Sequence, residues 1–176
     1  MRSDPVEMQA LAQASGRATP RQYLTFAVGA DGYVTPIEAI REIIEVPGLT
    51  TVPMMPRFVR GVINLRGAIV PVLDLASRFE LGETAIARRT CVMVVEAGRA
   101  GDGPTQVLGV LVDAVHEVIE IGPDCIEPAP VLGTRIHPDF ISGMARIGRR
   151  LTVVLNLDRV LAPDELALLI STQSTR

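Results

Sequence analysis

Apolar residues come in short runs along this chain, and the spacing inside each run selects strands more often than helices. Over residues 22–28, Leu24, Phe26 and Val28 alternate with Tyr23, Thr25 and Ala27, the period of two that predicts a half-buried strand. Gly29-Ala30-Asp31-Gly32 turns it back into Tyr33-Val34. Thr35-Pro36-Ile37-Glu38 has the form of a capping box with Pro at the first helical position, which predicts a short helical turn before a strand over 42–46. Pro47, Gly48, Pro53 and Pro56 exclude a long regular element, and residues 57–60 predict one helical turn stopped by Gly61. Two runs rich in β-branched residues follow, 62–65 and 68–75, broken at Arg66-Gly67: a β-hairpin with its turn at the break. The second run is almost continuously apolar. Pro71 in its middle argues against a helix and for an edge strand or a bulge.

Beyond the hairpin, 76–79 is helical in pattern and 82–89 is a polar connector. Strands are predicted over 91–95, 106–112 and 117–121, with a glycine-rich tip at 98–104 and a proline-bounded loop from Pro128 to Gly133. A second hairpin spans 145–157 and turns at Gly148-Arg149. Short helices are expected at 5–14, loosely attached, and at 164–169. Many short strands punctuated by Gly and Pro give an all-β chain, and units this small close more easily as barrels than as sandwiches.

The hairpin recurs. Pro56 to Phe79 lies over Pro138 to Leu161 at a constant offset of 82, with Phe58 on Phe140, Gly61 on Gly143, Leu73 on Leu155 and Asp74 on Asn156. Glu42-Ile43-Ile44-Glu45-Val46 likewise resembles Glu117-Val118-Ile119-Glu120-Ile121. One fold is used twice. The expected division is a tail at 1–20, a first barrel half at 21–88, a second at 89–162, and a C-terminal helix and tail at 163–176. Leu73 and Leu155 are expected in equivalent buried sites.

Composition narrows the function classes. The 176 residues are 48% hydrophobic but only 3% aromatic, so Val, Ile and Leu must fill the cores, and surplus apolar surface is available for docking. No apolar run reaches the roughly 18 residues of a membrane span, and residues 1–20 lack the apolar stretch of a signal peptide. A net charge of −3 gives no electrostatic case for nucleic acid or an anionic membrane. Cys91 and Cys125 form neither a disulfide framework nor a metal spacing and are expected as small buried hydrophobes in a reducing cytoplasm. His116 and His137 sit in no ligand or triad pattern, and 98–103 lacks the spacing of a phosphate loop. No catalytic residue, metal site or cofactor is expected.

At Gly61-Val62-Ile63-Asn64-Leu65-Arg66-Gly67, with Ile69-Val70-Pro71-Val72-Leu73-Asp74-Leu75 after it, the chain resembles the CheW family of chemotaxis coupling proteins. The resemblance extends from Gln22 to Leu169 and takes in Tyr23-Leu24-Thr25-Phe26 and Gly109-Val110-Leu111-Val112-Asp113. It implies two SH3-like five-stranded β-barrels in tandem with short helices, in which an end strand can complete the other half's barrel. It also implies a non-enzymatic, cytoplasmic adaptor, recruited to membrane-associated receptor arrays without inserting into the membrane. There it would join the regulatory domain of the histidine kinase CheA to the cytoplasmic tip of chemoreceptors, with self or ring contacts open to the same fold. A receiver domain after the barrels, as in the CheV variant, is not expected. The receptor-binding residues implied are Ile40, Glu42, Asn64, Leu65 and Arg66, with Arg66 at the hairpin tip either facing a receptor carboxylate or bracing the hairpin against Glu42. The kinase-binding residues implied are Thr35, Ile37 and Ile40, where Ile37 and Ile40 make one stripe or belong to the core. The alternatives are an adaptor of a pilus or gliding chemosensory system, or a small-molecule-sensing β-barrel module.

Overall fold

A computed structural model describes residues 19–97, 105–129 and 136–161. Its strands in chain order are β1 (Arg21–Val28), β2 (Asp31–Pro36), β3 (Ile40–Glu45), β4 (Val59–Leu65), β5 (Ala68–Asp74), β6 (Cys91–Ala97), β7 (Gln106–Val112), β8 (Ala114–Ile121), β9 (Ile126–Glu127), β10 (Ile141–Ile147) and β11 (Arg150–Leu155). Two one-turn helices, α1 (Leu75–Arg78) and α2 (Leu157–Val160), follow β5 and β11. The helices expected at 5–14 and 164–169, the tip at 98–104 and most of the 128–133 loop lie outside the described residues.

The strands form two sheets, in the orders β3-β6-β7-β5-β4 and β8-β1-β2-β11-β10-β9. Each sheet wraps its own core. Ile63, Val70, Val72, Val92, Val94 and Leu111 fill the first, and Tyr23, Val34, Ile121, Ala145 and Val154 fill the second. A third and larger cluster, which includes Phe26, Leu73, Met93, Leu108 and Leu155, draws on both sheets and joins the barrels back to back. Strands between two cores bury both faces. In β1, Tyr23 points into its own barrel while Leu24, Phe26 and Val28 point into the shared core. In β5, Val70 and Val72 face inward and Leu73 faces the shared core, which accounts for the unbroken apolar run. β5 is a central strand rather than an edge, but it pairs with β7 only from Val72 onward, so Pro71 lies ahead of that ladder.

The repeat is structural. β4–β5 and β10–β11 are equivalent hairpins, each followed by a parallel pairing, β5 with β7 and β11 with β2. Asp74 N donates to Phe58 O at 2.6 Å, and Asn156 N to Phe140 O at 2.8 Å. Leu73 and Leu155 are each 1% exposed. The sheets, however, are not assembled from halves cut at residue 88. The first is built from 40–112 alone, whereas the second takes β1 and β2 from the start of the chain and β8–β11 from its end. The offset of 82 marks the hairpins correctly but gives no information about which hairpin closes which barrel.

Two local expectations fail. Residues 57–60 hold no helix, because β4 already begins at Val59. Thr35 does not cap the turn after β2: the turn is a 3-10 helix, Ile37–Ala39, whose N-cap is Pro36 with no side-chain bond, and Thr35 is the fully buried penultimate residue of β2.

Near the pseudo-twofold, the Arg78 guanidinium stacks over the rings of Phe58 and Phe140, 5.0 and 4.9 Å from their centroids. Its Nε donates to the carbonyl of Val160, the residue equivalent to Arg78 itself, at 3.1 Å. One side chain thus contacts both copies of the repeated phenylalanine.

Candidate functional site

The β4–β5 turn has two residues, Arg66 and Gly67, both with positive φ, 52° and 87°. That pattern is the type I′ hairpin turn, which normally favours Asn or Gly at its first position. A non-glycine residue held there carries a backbone cost of about 1 kcal/mol. The Asn64 side chain accepts a bond from Gly67 N at 2.9 Å and locks the turn, so Asn64 supports the tip even though it is exposed. The Arg66 side chain is 73% exposed, and its Nη2 lies 2.5 Å from Glu42 Oε1 on β3, whose side chain is 28% exposed. Both roles foreseen for Arg66 therefore coexist: it braces the hairpin and still presents most of its surface to solvent. An exposed pair of this kind stabilises by about 1 kcal/mol at most.

β3 runs at the edge of its sheet and carries a bulge, since Ile40 pairs with Val95 and Glu42 with the adjacent Val94. Arg41 is the extra residue, turned outward and exposed. Hairpin tip and bulge together frame an open mouth of the first barrel, a cavity of about 570 Å³. Val70, Val94 and Val107 form its floor, Ile69 stands at its rim 73% exposed, and Arg41, Glu42 and Arg66 border it. Of the receptor-binding set, Glu42, Leu65 and Arg66 meet at this mouth. Ile40 lies just before the bulge, partly buried against the shared core. Ile69 and Arg41 were missed by the sequence reading. Parity along β5 would have found Ile69, because Val70 and Val72 inside put Ile69 outside.

The kinase-binding set divides. Ile37 and Ile40 are partly buried and pack on the shared core, so each keeps an accessible edge. Thr35 is 0% exposed and offers no surface to a partner; its Oγ1 finds no hydrogen-bond partner among the described residues. Among the described residues no cluster of His, Cys, Asp and Glu has the makings of a metal site. His137 Nδ1 accepts from Asp139 N at 3.2 Å as the cap of a 3-10 turn. Both cysteines are free; Cys91 is partly buried, but Cys125 is exposed in a 3-10 turn, contrary to expectation.

The CheW-like domain model matches residues 22–165. The chain belongs to the CheW family. Its relatives include the chemotaxis protein CheW of Klebsiella aerogenes, 28% identical over 90% of this chain and 92% of that protein. The CheW of Helicobacter pylori is 32% identical over 81% and 82%. Protein FrzA of Myxococcus xanthus is 30% identical over 84% and 89%. Among solved structures, the scaffolding protein TtCheW from Thermoanaerobacter tengcongensis superposes with a TM-score of 0.72 at 32% identity, covering 81% of this chain and 88% of that one. The two sheets are the two SH3-like barrels of this family, and the protein is a chemotaxis coupling adaptor. Within it, the first-barrel mouth is distinguished by a cation on a strained turn above an aliphatic floor.

Proposed function

We propose that the protein couples the cytoplasmic tip of chemoreceptors to the regulatory domain of CheA, with no chemistry of its own, and that it works in the cytoplasm, drawn to membrane-associated arrays. Arg66 is the principal receptor-facing side chain, with Glu42 and Leu65 beside it and Asn64 holding the tip. Ile37 and Ile40 supply the kinase contact through their accessible edges, without Thr35. The observation that carries this reading is Arg66 itself, which occupies a left-handed backbone position at 73% side-chain exposure. Strain kept at an exposed tip is better explained by a partner than by stability.

Signal passes because receptor and kinase bind one rigid body, so each biases the geometry available to the other. Rigidity is supported by the core shared between barrels and by Arg78 between Phe58 and Phe140. The test is titration of the full-length protein with a receptor-tip fragment and, separately, with the CheA regulatory domain. Arg66→Ala should lose the first with its melting temperature kept, and Ile37→Asp should lose the second. Unchanged receptor binding by Arg66→Ala would overturn the assignment. The similarity to FrzA, which is not named a chemotaxis protein, favours a second reading with the same contacts: an adaptor in a chemosensory system of different output.

A further inference from the structure

The first-barrel mouth differs from its counterpart in the second barrel in ways that shape a ligand. Its floor residues Val70 and Val94 are 2% and 1% exposed, and Val107 lies beside them, partly buried. By pairing register, Thr152, Thr25 and Gly32 stand in the corresponding places of the second barrel, and Gly148 stands in that of Arg66. There the Thr25 hydroxyl is engaged with the backbone of Glu117, donating to its carbonyl and accepting from its N–H, both at 3.0 Å. The aliphatic floor, and an arginine held beside it by a carboxylate on β3, are therefore features of the first mouth; the second carries Arg149 and Arg150 in the places of Gly67 and Ala68, but over a floor of Thr152, Thr25 and Gly32.

The rim is asymmetric in charge. Arg66 is already paired with Glu42, whereas Arg41 projects from the bulge and makes no ion pair with any described residue. A partner bearing an apolar group for the floor and a carboxylate for Arg41 would satisfy both. Strand addition does not suit the place, because the bulge interrupts the edge of β3 beside the mouth. A helix does suit it, since residues at i and i+3 or i+4 set an apolar side chain and a carboxylate on one face.

We propose that the mouth of the first barrel is a socket for a large apolar side chain on an amphipathic helix of the receptor, with a carboxylate one turn away held by Arg41. This rests on the coupling function proposed above. Ile69 at the rim packs against the helix backbone side of that apolar residue, and Arg41 selects partners by charge.

The experiment is calorimetric titration of the full-length protein with a purified helical tip fragment of a chemoreceptor and, in parallel, with the CheA regulatory domain. Val107→Phe fills the socket and Arg41→Glu reverses its charge. Each should weaken receptor-fragment binding by about tenfold or more while CheA-domain binding stays as in the wild type. The deficit of Arg41→Glu should shrink as salt is raised. If Val107→Phe melts well below the wild type, Ile69→Ser replaces it, because that side chain is mostly in solvent. Receptor binding within about twofold of wild type for Arg41→Glu and the socket variant, with Arg66→Ala still defective, would overturn the socket and leave the coupling function standing. Loss of CheA-domain binding instead would assign the socket to a different occupant and overturn the proposal. If Arg66→Ala is also indifferent, the coupling assignment of this face falls as well.

Discussion

The two hairpins stand in equivalent places, yet one turns on Arg66-Gly67 and the other on Gly148-Arg149. Swapping the order of the same two residue types changes what the turn does. In the second hairpin Gly148 takes the positive φ of 61° and Arg149 needs none, so that turn carries no left-handed side chain. In the first, Arg66 adopts a similar φ of 52° with a side chain attached, and its guanidinium reaches Glu42 over the barrel mouth. The corners after the hairpins differ in the same direction. Asp74 is fully buried and accepts from Arg60 at 2.9 Å, from the Thr84 hydroxyl and N–H at 2.6 and 2.8 Å, and from Ala76 N at 3.0 Å. Its counterpart Asn156 caps α2 with a single bond to Arg159 N at 3.3 Å. The first repeat holds its corner with a buried carboxylate and the second with a neutral cap, while each hairpin carries one arginine–glutamate pair, Arg66 with Glu42 and Arg146 with Glu127.

The largest separation should come from the corners. Asp74→Ala leaves Arg60 without its carboxylate, keeping only the Thr84 carbonyl, and leaves the Thr84 N–H without its acceptor; it should lower unfolding free energy by about 3–5 kcal/mol in urea denaturation. Asn156→Ala, which removes one cap, should cost about 1 kcal/mol. Equal losses would mean that the charged corner is no more structural than the neutral one.

Next come the glycines beneath the hairpins. A Cβ on Gly61 would sit 2.5 Å from Thr50 O, with φ at 150°, whereas one on Gly143 would meet the Ile126 Cγ2 at 2.9 Å and Glu127 O at 3.0 Å. Gly61→Ala should cost about 3 kcal/mol or more, and Gly143→Ala about half that, because at Gly143 the Ile126 methyl can swing aside, the backbone carbonyl is met at 3.0 rather than 2.5 Å, and no positive φ is needed. Thermal melts of the two variants would rank them.

A smaller effect carries more meaning. Arg66→Gly copies the second hairpin onto the first and should raise stability by about 0.5–1 kcal/mol, the relief of a left-handed side chain less a weak ion pair. It should at the same time abolish receptor-fragment binding. A variant that gains stability and keeps binding would show the strain to be without purpose.

The smallest change concerns Thr35, whose counterpart in register on β7 is Val110. Thr35→Val removes a buried hydroxyl that has no partner among the described residues and should leave stability unchanged or raise it by up to about 1 kcal/mol. A loss greater than that would reveal a bond made by the hydroxyl.

Strand periods, the two turns, the short helix after the first hairpin and the repeat were legible in the sequence, because each depends on residues close together or on a constant offset; α2 at Leu157–Val160 was not foreseen, although the offset of 82 from α1 marks it. Arg66 stood out for the same reason: a charge between two apolar runs has to be at a tip. Barrel membership was not legible. Nothing local in Tyr23-Leu24-Thr25-Phe26 says that β1 pairs with β8, some ninety residues on, rather than with the nearer β3 or β6. Thr35 misled because a capping-box pattern and the end of a strand use the same residue types, and burial against the shared core decided between them. The barrel mouth escaped notice because its floor and rim come from β3, β5, β6 and β7, which no linear motif brings together.

The second barrel's split origin also sets a timetable. All five strands of the first barrel lie between Ile40 and Val112, so a chain growing from its N-terminus completes that barrel first. The β1–β2 hairpin, made earlier, must then wait with its inner face uncovered until β8, β10 and β11 are synthesised. Closing it spans a loop that the finished first barrel has already shortened, which lowers the entropic cost of joining residues 21–36 to 114–155. Nascent chains that have emerged as far as Val112 but no further should thus hold one native barrel and one exposed hairpin, the state in which this protein is most open to capture by a chaperone or to misassembly with a neighbour.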